Sequence, residues 1–439
     1  MSNPILPLWE YIPDGEPRVF GDRVYLYGSH DRVGTDSFCD YKLKVWSASI
    51  HNLNNWTCHG DSFHTCDDQD HKADTDWTSN ELYAPDVVCK DGKYYLYAYI
   101  LGAKGCVGVS DHPEGPFRLL STYQYEEEDA GDEGIFNDAG VLVDDDGRVY
   151  IYYGFQKSHM GEINPDNMVE ILKGSYLEDV IKPGREADDF FEASSPRKVN
   201  GLYYLIYSPQ RGSRLAYAVS KRPTGPFERK GYIIDNGFDY PAGNNHGSIC
   251  CINGQWYVFY HRMTNGTITS RRACVEKIEI LPDGTIPQVE MTSLGFEESL
   301  NPYQITPAEI ACVLKGGCLI TEKDSYTRPV TGIRNGAVIG FKYFDFGQDY
   351  SSTTMEFSVN VLGTGCSSVI RILIDDDHKG EEIGCCPIGF YDGEYKVRVK
   401  KVNGRHAVYF RIEYEYSGWF KDAFNERNLF DMTSFVFKK

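Results

Sequence analysis

No run of about twenty apolar residues occurs anywhere in the chain, so no segment reads as a membrane-spanning helix. Metal-type CxxC spacings are missing too. The 13 cysteines are odd in number and scattered, with adjacent pairs at Cys250-Cys251 and Cys385-Cys386, and this reads as free thiols. The chain has no Walker phosphate loop, no dinucleotide-type glycine fingerprint and no G-x-S-x-G elbow, which sets aside the chemistries those motifs serve. Positive charge is scarce. With 44 basic against 64 acidic residues the net charge is −20, which argues against nucleic acid and anionic membrane as partners. Met1-Ser2-Asn3-Pro4 opens without a basic n-region or an apolar h-region, so the expected location is cytoplasmic.

Aromatic residues and glycine are abundant. Aromatics reach 14%, with 32 Tyr and 43 Gly, which suits an all-β protein with many turns and sugar-facing surfaces. A length of 439 residues exceeds one ordinary core, so two domains are expected. In the first 300 residues one unit recurs: an ionisable residue, an apolar alternating run, a turn, then an aromatic and β-branched strand. Its turn positions are Asp22, Gly92, Gly147, Gly201 and Gly254, at intervals of 70, 55, 54 and 53 residues. Five multi-stranded units near this period predict a five-bladed β-propeller over residues 1–300.

Counting back from each turn reaches Asp14 (8), Asp86 (6), Asp138 (9), Glu192 (9) and His246 (8). If those strands line the axis, the five side chains meet at one mouth of the channel. Two carboxyl groups facing an acetal can hydrolyse it, one protonated and donating to the leaving oxygen, the other ionised and activating water. A third carboxylate raises the acid's pKa by repulsion. His246, on the fifth unit, reads as an interior imidazole, a sugar donor, or a ligand to an axial cation. The polar stretch His51 to Asn80 is expected to be loop, with Trp56 and Trp77 as candidate walls of a sugar pocket. Glu126-Glu127-Glu128-Asp129 reads as a solvated surface run. Beyond a linker near Asn301-Pro302-Tyr303 the period changes. Strand-like runs at 338–346, 353–361, 368–374, 395–400, 406–414 and 434–438 predict an antiparallel β-sandwich over 301–439.

On these motifs, residues 1 to about 300 resemble glycoside hydrolase family 43, the five-bladed propeller α-L-arabinofuranosidases and β-xylosidases. Pro13-Asp14-Gly15-Glu16-Pro17 through Val24-Tyr25-Leu26-Tyr27-Gly28-Ser29-His30-Asp31 is similar to the family's first-blade motif. Ungapped register places the family's general base on Asp14; Glu16 would match only with two residues deleted. The resemblance implies that Asp138, in Phe-Asn-Asp-Ala-Gly, modulates a pKa, and that Glu192, in Phe-Glu-Ala-Ser-Ser-Pro, is the general acid. It implies Asp31, Asp86 and Arg271 as sugar-binding candidates, beside Trp77 from the polar loop, and His246 as a calcium contact at the axis. The C-terminal part resembles a family 6 carbohydrate-binding module through Asn335-Gly336-Ala337-Val338-Ile339, Phe344-Asp345-Phe346-Gly347 and Val402-Asn403-Gly404-Arg405-His406, with Trp419 as its stacking candidate. The implied activity is inverting exo-hydrolysis releasing terminal α-L-arabinofuranose from arabinoxylan- or arabinan-derived oligosaccharides. A β-xylosidase of the same fold and a non-catalytic sugar-binding propeller are the alternatives.

Overall fold

The computed structural model describes residues 2–102, 105–122, 124–125, 136–237, 245–324, 326–348, 351–414, 418–419 and 425–439. The acidic run at 126–129 lies outside the described residues. Strands dominate, and the one named helix is a 3-10 turn at Ala308–Ile310. Among the described residues no helix is long and apolar enough to cross a membrane.

The chain divides into two compact units, one of residues 10–263 and 268–290, the other of 1–9, 264–267 and 291–439. A single cut at 300/301 misses this division, because the segments 1–9 and 264–267 pack with the C-terminal unit. Asn3, for example, donates to the carbonyls of Thr292 and Ser293.

The larger unit holds five sheets, here called blades 1 to 5 in chain order, antiparallel apart from the short parallel pairing of 170–171 with 124–125 in blade 3. Their first strands are Glu16–Phe20, Leu82–Lys90, Gly140–Val143, Phe190–Val199 and Ser248–Ile252. Each neighbours the next in space and the first lies beside the fifth, so the ring closes as a propeller. The hairpins follow from their turns. Asp91-Gly92, Asn200-Gly201 and Asn253-Gly254 have positive φ at both positions, the type I′ geometry whose twist matches paired strands. The aromatic second strands fill the space between blades. Tyr27, Tyr97 and Tyr152 are almost wholly buried, and their hydroxyls donate to the carbonyls of Pro113, Met168 and Pro223. Each therefore contributes apolar burial, typically about 1.5 to 3 kcal/mol for a large side chain, without an unsatisfied hydroxyl.

The stretch 51–80 is only partly loop. Asn52–His64 forms the fourth strand of blade 1, paired with Lys42–Ser49. As the outermost strand it is exposed over much of its length, which is why apolar alternation is absent.

Two guanidinium groups tie the hub together. Arg18 of blade 1 donates to both carboxylate oxygens of Asp86 on blade 2 and to the Val141 carbonyl on blade 3. Arg197 of blade 4 donates to the Ile249 carbonyl on blade 5 and returns to Glu16 and the Pro17 carbonyl on blade 1.

In the C-terminal unit, one sheet runs through strands 319–320, 330–331, 430–438, 354–363 and 393–400. The other runs through 313–315, 338–345, 405–414, 368–374 and 381–388. Both contribute to one core rich in phenylalanine, including Phe341, Phe357, Phe410, Phe435 and Phe437.

Candidate active site

Strand register locates the ring more accurately than counting from the turns. The residues paired five positions beyond each turn position are Glu16 (with Tyr27), Asp86 (Tyr97), Gly140 (Tyr152), Ser195 (Ile206) and Ser248 (Phe259). Two residues earlier stand Asp14, Ala84, Asp138, Ala193 and His246. The true ring therefore carries three ionisable side chains and two alanines. Four of the five, Asp14, Ala84, Asp138 and Ala193, share positive φ, between 39° and 69°.

Asp86 is thereby displaced from the site. It occupies the position of Glu16, its side chain is wholly buried, and both oxygens are taken by Arg18 and the Val141 N–H. It holds blades together and presents nothing to a sugar. Glu192 sits one residue before the ring position, where the strand is irregular between Phe190 and Ser195. From there its side chain reaches the same cavity as Asp14 and Asp138.

That cavity encloses about 400 Å³ and is lined by Asp14, Asn137, Asp138, Glu192 and Arg271 with Phe38, Tyr83, Tyr99, Leu101, Phe155 and Phe191. A larger cavity of about 540 Å³ on the outer part of blade 4, beside Arg185 and Tyr232, contains none of these acids. Trp77 does not line the acidic cavity; it is 38% exposed elsewhere on the 65–81 loop. Trp56 is buried, and its indole donates to the Leu53 carbonyl. The aromatic wall comes instead from Phe and Tyr residues at the ends of blade strands and in nearby loops.

Asp14 is held by a dense set of partners. Arg271 Nη1 donates to Oδ1 at 2.9 Å and Ser29 Oγ donates to Oδ2 at 2.7 Å. His261 Nδ1 lies 3.5 Å from Oδ1 and His246 Nδ1 3.8 Å from it. Burial pushes the Asp14 carboxyl up, but Arg271, both imidazoles and Ser29 outweigh it and hold the group below its ordinary range. Asp31 acts behind this pair. Its oxygens accept from Arg271 Nε, Nη2 and N–H and from the Cys39 N–H, so it orients the guanidinium and has no oxygen to offer a ligand.

The other two acids behave oppositely. Burial, then repulsion from Glu192, push Asp138 up to about 8 even though the Ala193 N–H donates to it. Burial and the Asp14 charge push Glu192 up to about 7, against an opposing hydrogen bond from Asn137. The repulsion belongs to both carboxyls, so they titrate as a unit that still holds a proton near neutral pH. One cavity thus contains an ionised carboxylate and a carboxylic acid, the two states acid–base hydrolysis of an acetal needs.

His246 is buried on the ring, with Nδ1 3.7 Å from Asp138 Oδ2. A calcium ion bound directly needs six to eight oxygens. Here His246 offers nitrogen, while Asp14 is committed to Arg271 and Ser29 and Asp138 accepts from Ala193. The described residues therefore do not fit a calcium ion held wholly by protein.

His261 was missed in the sequence, yet a signal for it exists. It lies seven residues after its turn position, 254 to 261, as Ser29 does after 22 and Tyr99 after 92. The end of each second strand faces the same mouth as the start of each first strand.

Known proteins resemble this chain throughout. The sequence profile of glycosyl hydrolases family 43 matches residues 1–286. A xylosidase/arabinosidase of Thermoclostridium stercorarium is 37% identical over 93% of this chain and 95% of its own length. The structure is similar to a family 43 β-xylosidase/α-arabinofuranosidase from a compost microbial metagenome, solved with xylotriose in a calcium-free form. That likeness has a TM-score of 0.54 and 28% identity, covering 66% of this chain and 97% of the other. An arabinoxylan arabinofuranohydrolase of Bacillus subtilis, solved with cellotetraose, covers 100% of this chain and 97% of its own at a TM-score of 0.56. Its identity is 24%, a likeness of fold alone.

Proposed function

Because the chain belongs to glycosyl hydrolases family 43 and is a glycoside hydrolase, we propose that it is an inverting exo-enzyme releasing terminal α-L-arabinofuranose from arabinoxylan- or arabinan-derived oligosaccharides. The observation carrying this reading is the opposed displacement of two carboxyl groups in one cavity, Asp14 down and Glu192 up to about 7. Asp14 removes a proton from the attacking water. Glu192 donates its proton to the leaving oxygen. Asp138, sharing the burial and the charge of Glu192, keeps that proton in place at neutral pH. Arg271 holds Asp14 ionised and, as a cavity-lining cation, donates to sugar hydroxyls. A cavity of about 400 Å³ lies toward the small end for ligand pockets and suits a chain end better than a long internal stretch.

β-Xylosidase activity is the second reading, favoured by the paired naming of the Thermoclostridium stercorarium relative. Aryl arabinofuranoside and aryl xyloside assayed side by side, with products followed by NMR, test both substrate and stereochemistry. Faster xyloside turnover overturns the arabinofuranosidase reading, and a product that keeps the substrate's anomeric configuration overturns inversion.

The two-sheet C-terminal unit is proposed to be a β-sandwich of the carbohydrate-binding-module kind, on the strength of its single shared core. Trp419, 96% exposed, is the stacking candidate. Equal retention of wild type and Trp419→Ala on insoluble arabinoxylan would remove that role. Calcium is proposed only as a hydrated ion that His246 meets through a water of its shell.

A further inference from the structure

We propose that the base of the 65–81 loop is a second site, binding one divalent transition-metal ion of the zinc class through His64, Asp61 and Asp68. One ring nitrogen of His64 and one carboxylate oxygen from each aspartate lie within 4.8 Å of one another. His64 Nε2 stands 3.7 Å from Asp61 Oδ2, and Nδ1 stands 3.7 Å from Asp68 Oδ2. These spacings are too long for hydrogen bonds. One ion takes one ring nitrogen, and the Nε2–Asp61 spacing is close to the span two ligands make across it, since zinc bonds of about 2.1 Å at a tetrahedral angle put ligand atoms roughly 3.4 Å apart.

The imidazole itself points to a missing partner. His64 is 2% exposed, and its Nε2 is buried without a hydrogen bond. A buried ring nitrogen facing a carboxylate beyond hydrogen-bond reach is satisfied by an ion between them.

The surroundings hold the ligands in place. Asp68 Oδ1 accepts from the N–H groups of Asp70 and His71, leaving Oδ2 toward the ring. Lys42 donates to Asp61 Oδ2 at 2.9 Å and so fixes the oxygen that faces Nε2, whose second lone pair is left for an ion. Asp74 receives the His64 N–H and His71 Nε2, which keeps His71 as a buttress and not a ligand. One nitrogen and two carboxylates suit zinc-class ions; calcium and magnesium require more oxygens than these residues supply.

The test uses the full chain, stripped of metal by chelation, titrated with Zn²⁺ by calorimetry and with Co²⁺ by absorption spectroscopy. The expected result is one equivalent of Zn²⁺ and a Co²⁺ spectrum without a thiolate charge-transfer band. Asp68 is 39% exposed in its side chain, so Asp68→Asn burdens folding little. It should weaken Zn²⁺ at least tenfold, and Zn²⁺ should raise the Tm of wild type but not of this variant. No saturable Zn²⁺ binding in wild type would overturn the proposal. So would unchanged affinity in both Asp68→Asn and His64→Gln, or Co²⁺ bands showing thiolate ligation at a cysteine such as Cys58 or Cys66.

Discussion

Arg271 Nη1 donates to Asp14 Oδ1 at 2.9 Å across a sequence separation of 257 residues. Blade 1 thus supplies the carboxylate and blade 5 the cation that keeps it charged. Replacing Arg271 with Ala removes the strongest influence holding the Asp14 carboxyl down. The acidic limb of the kcat/KM profile should then move upward by about one to three pH units, as read from initial rates between pH 3 and pH 8. An unmoved limb would mean Asp14 is not the group titrating there.

Glu192→Gln removes the proton donor. Turnover of oligosaccharides should fall roughly 10²- to 10⁴-fold, with a far smaller loss on aryl glycosides whose leaving group needs no proton. Equal losses on both substrates would contradict the acid role.

In wild type, rates should decline as pH rises past about 7, where Glu192 loses its proton. The last proton leaves the Glu192–Asp138 pair against the charge of the other carboxyl, so Asp138→Asn, which removes that repulsion, should shift this basic limb to lower pH. The same groups set a stability trend. Their folded pKa values, about 7 and 8, lie above the ordinary 4.5 and 3.8, so the folded chain keeps protons the unfolded chain has released. Stability should therefore fall as pH rises from about 4 to about 8. Glu192→Gln should melt higher than wild type at pH 8, with the margin closing toward pH 4.

Asp86→Ala leaves Arg18 buried without its carboxylate. A loss of about 3 to 5 kcal/mol is expected in denaturant unfolding, while the folded fraction keeps its KM. A raised KM with unchanged stability would return Asp86 to a sugar-binding role.

Chelation by EDTA followed by calcium should restore any activity that a hydrated ion at His246 supports. Full activity after exhaustive chelation would remove that ion from the enzyme.

Much of this architecture was legible because the repeat is written in turns and aromatic strands. Asp-Gly and Asn-Gly dipeptides fix hairpins locally, and Tyr25-Leu26-Tyr27 or Tyr150-Ile151-Tyr152 need burial on both faces. Outer strands were harder. Asn52–His64 lacks alternation because much of it is exposed, and Glu381–Ile388 contains Gly384 and Pro387. That proline is tolerated because the strand lies at a sheet edge. In the site, Asp14, Asp138 and Glu192 do share one cavity, whereas Asp86 and Trp77 do not line it. The difference is register. The ring positions lie 8, 8, 9, 8 and 8 residues before their turn positions, so a constant count reaches Ala84 and Ala193, whereas choosing an ionisable residue near each place moves the second position to Asp86 and the fourth to Glu192. Asp31 and Asp86 further show that an acid next to a mouth is often spent on an arginine, which sequence cannot display.

The two hub arginines bear on how such a wheel comes apart. A structure made of similar segments invites the idea that one could melt, be removed or be copied while its neighbours persist. Arg18 reaches from blade 1 to blades 2 and 3, and Arg197 reaches from blade 4 to blades 5 and 1. Losing any blade strands a buried charge or empties a carbonyl belonging to another. The blades of the larger unit should accordingly lose their structure together in denaturant, and not one at a time.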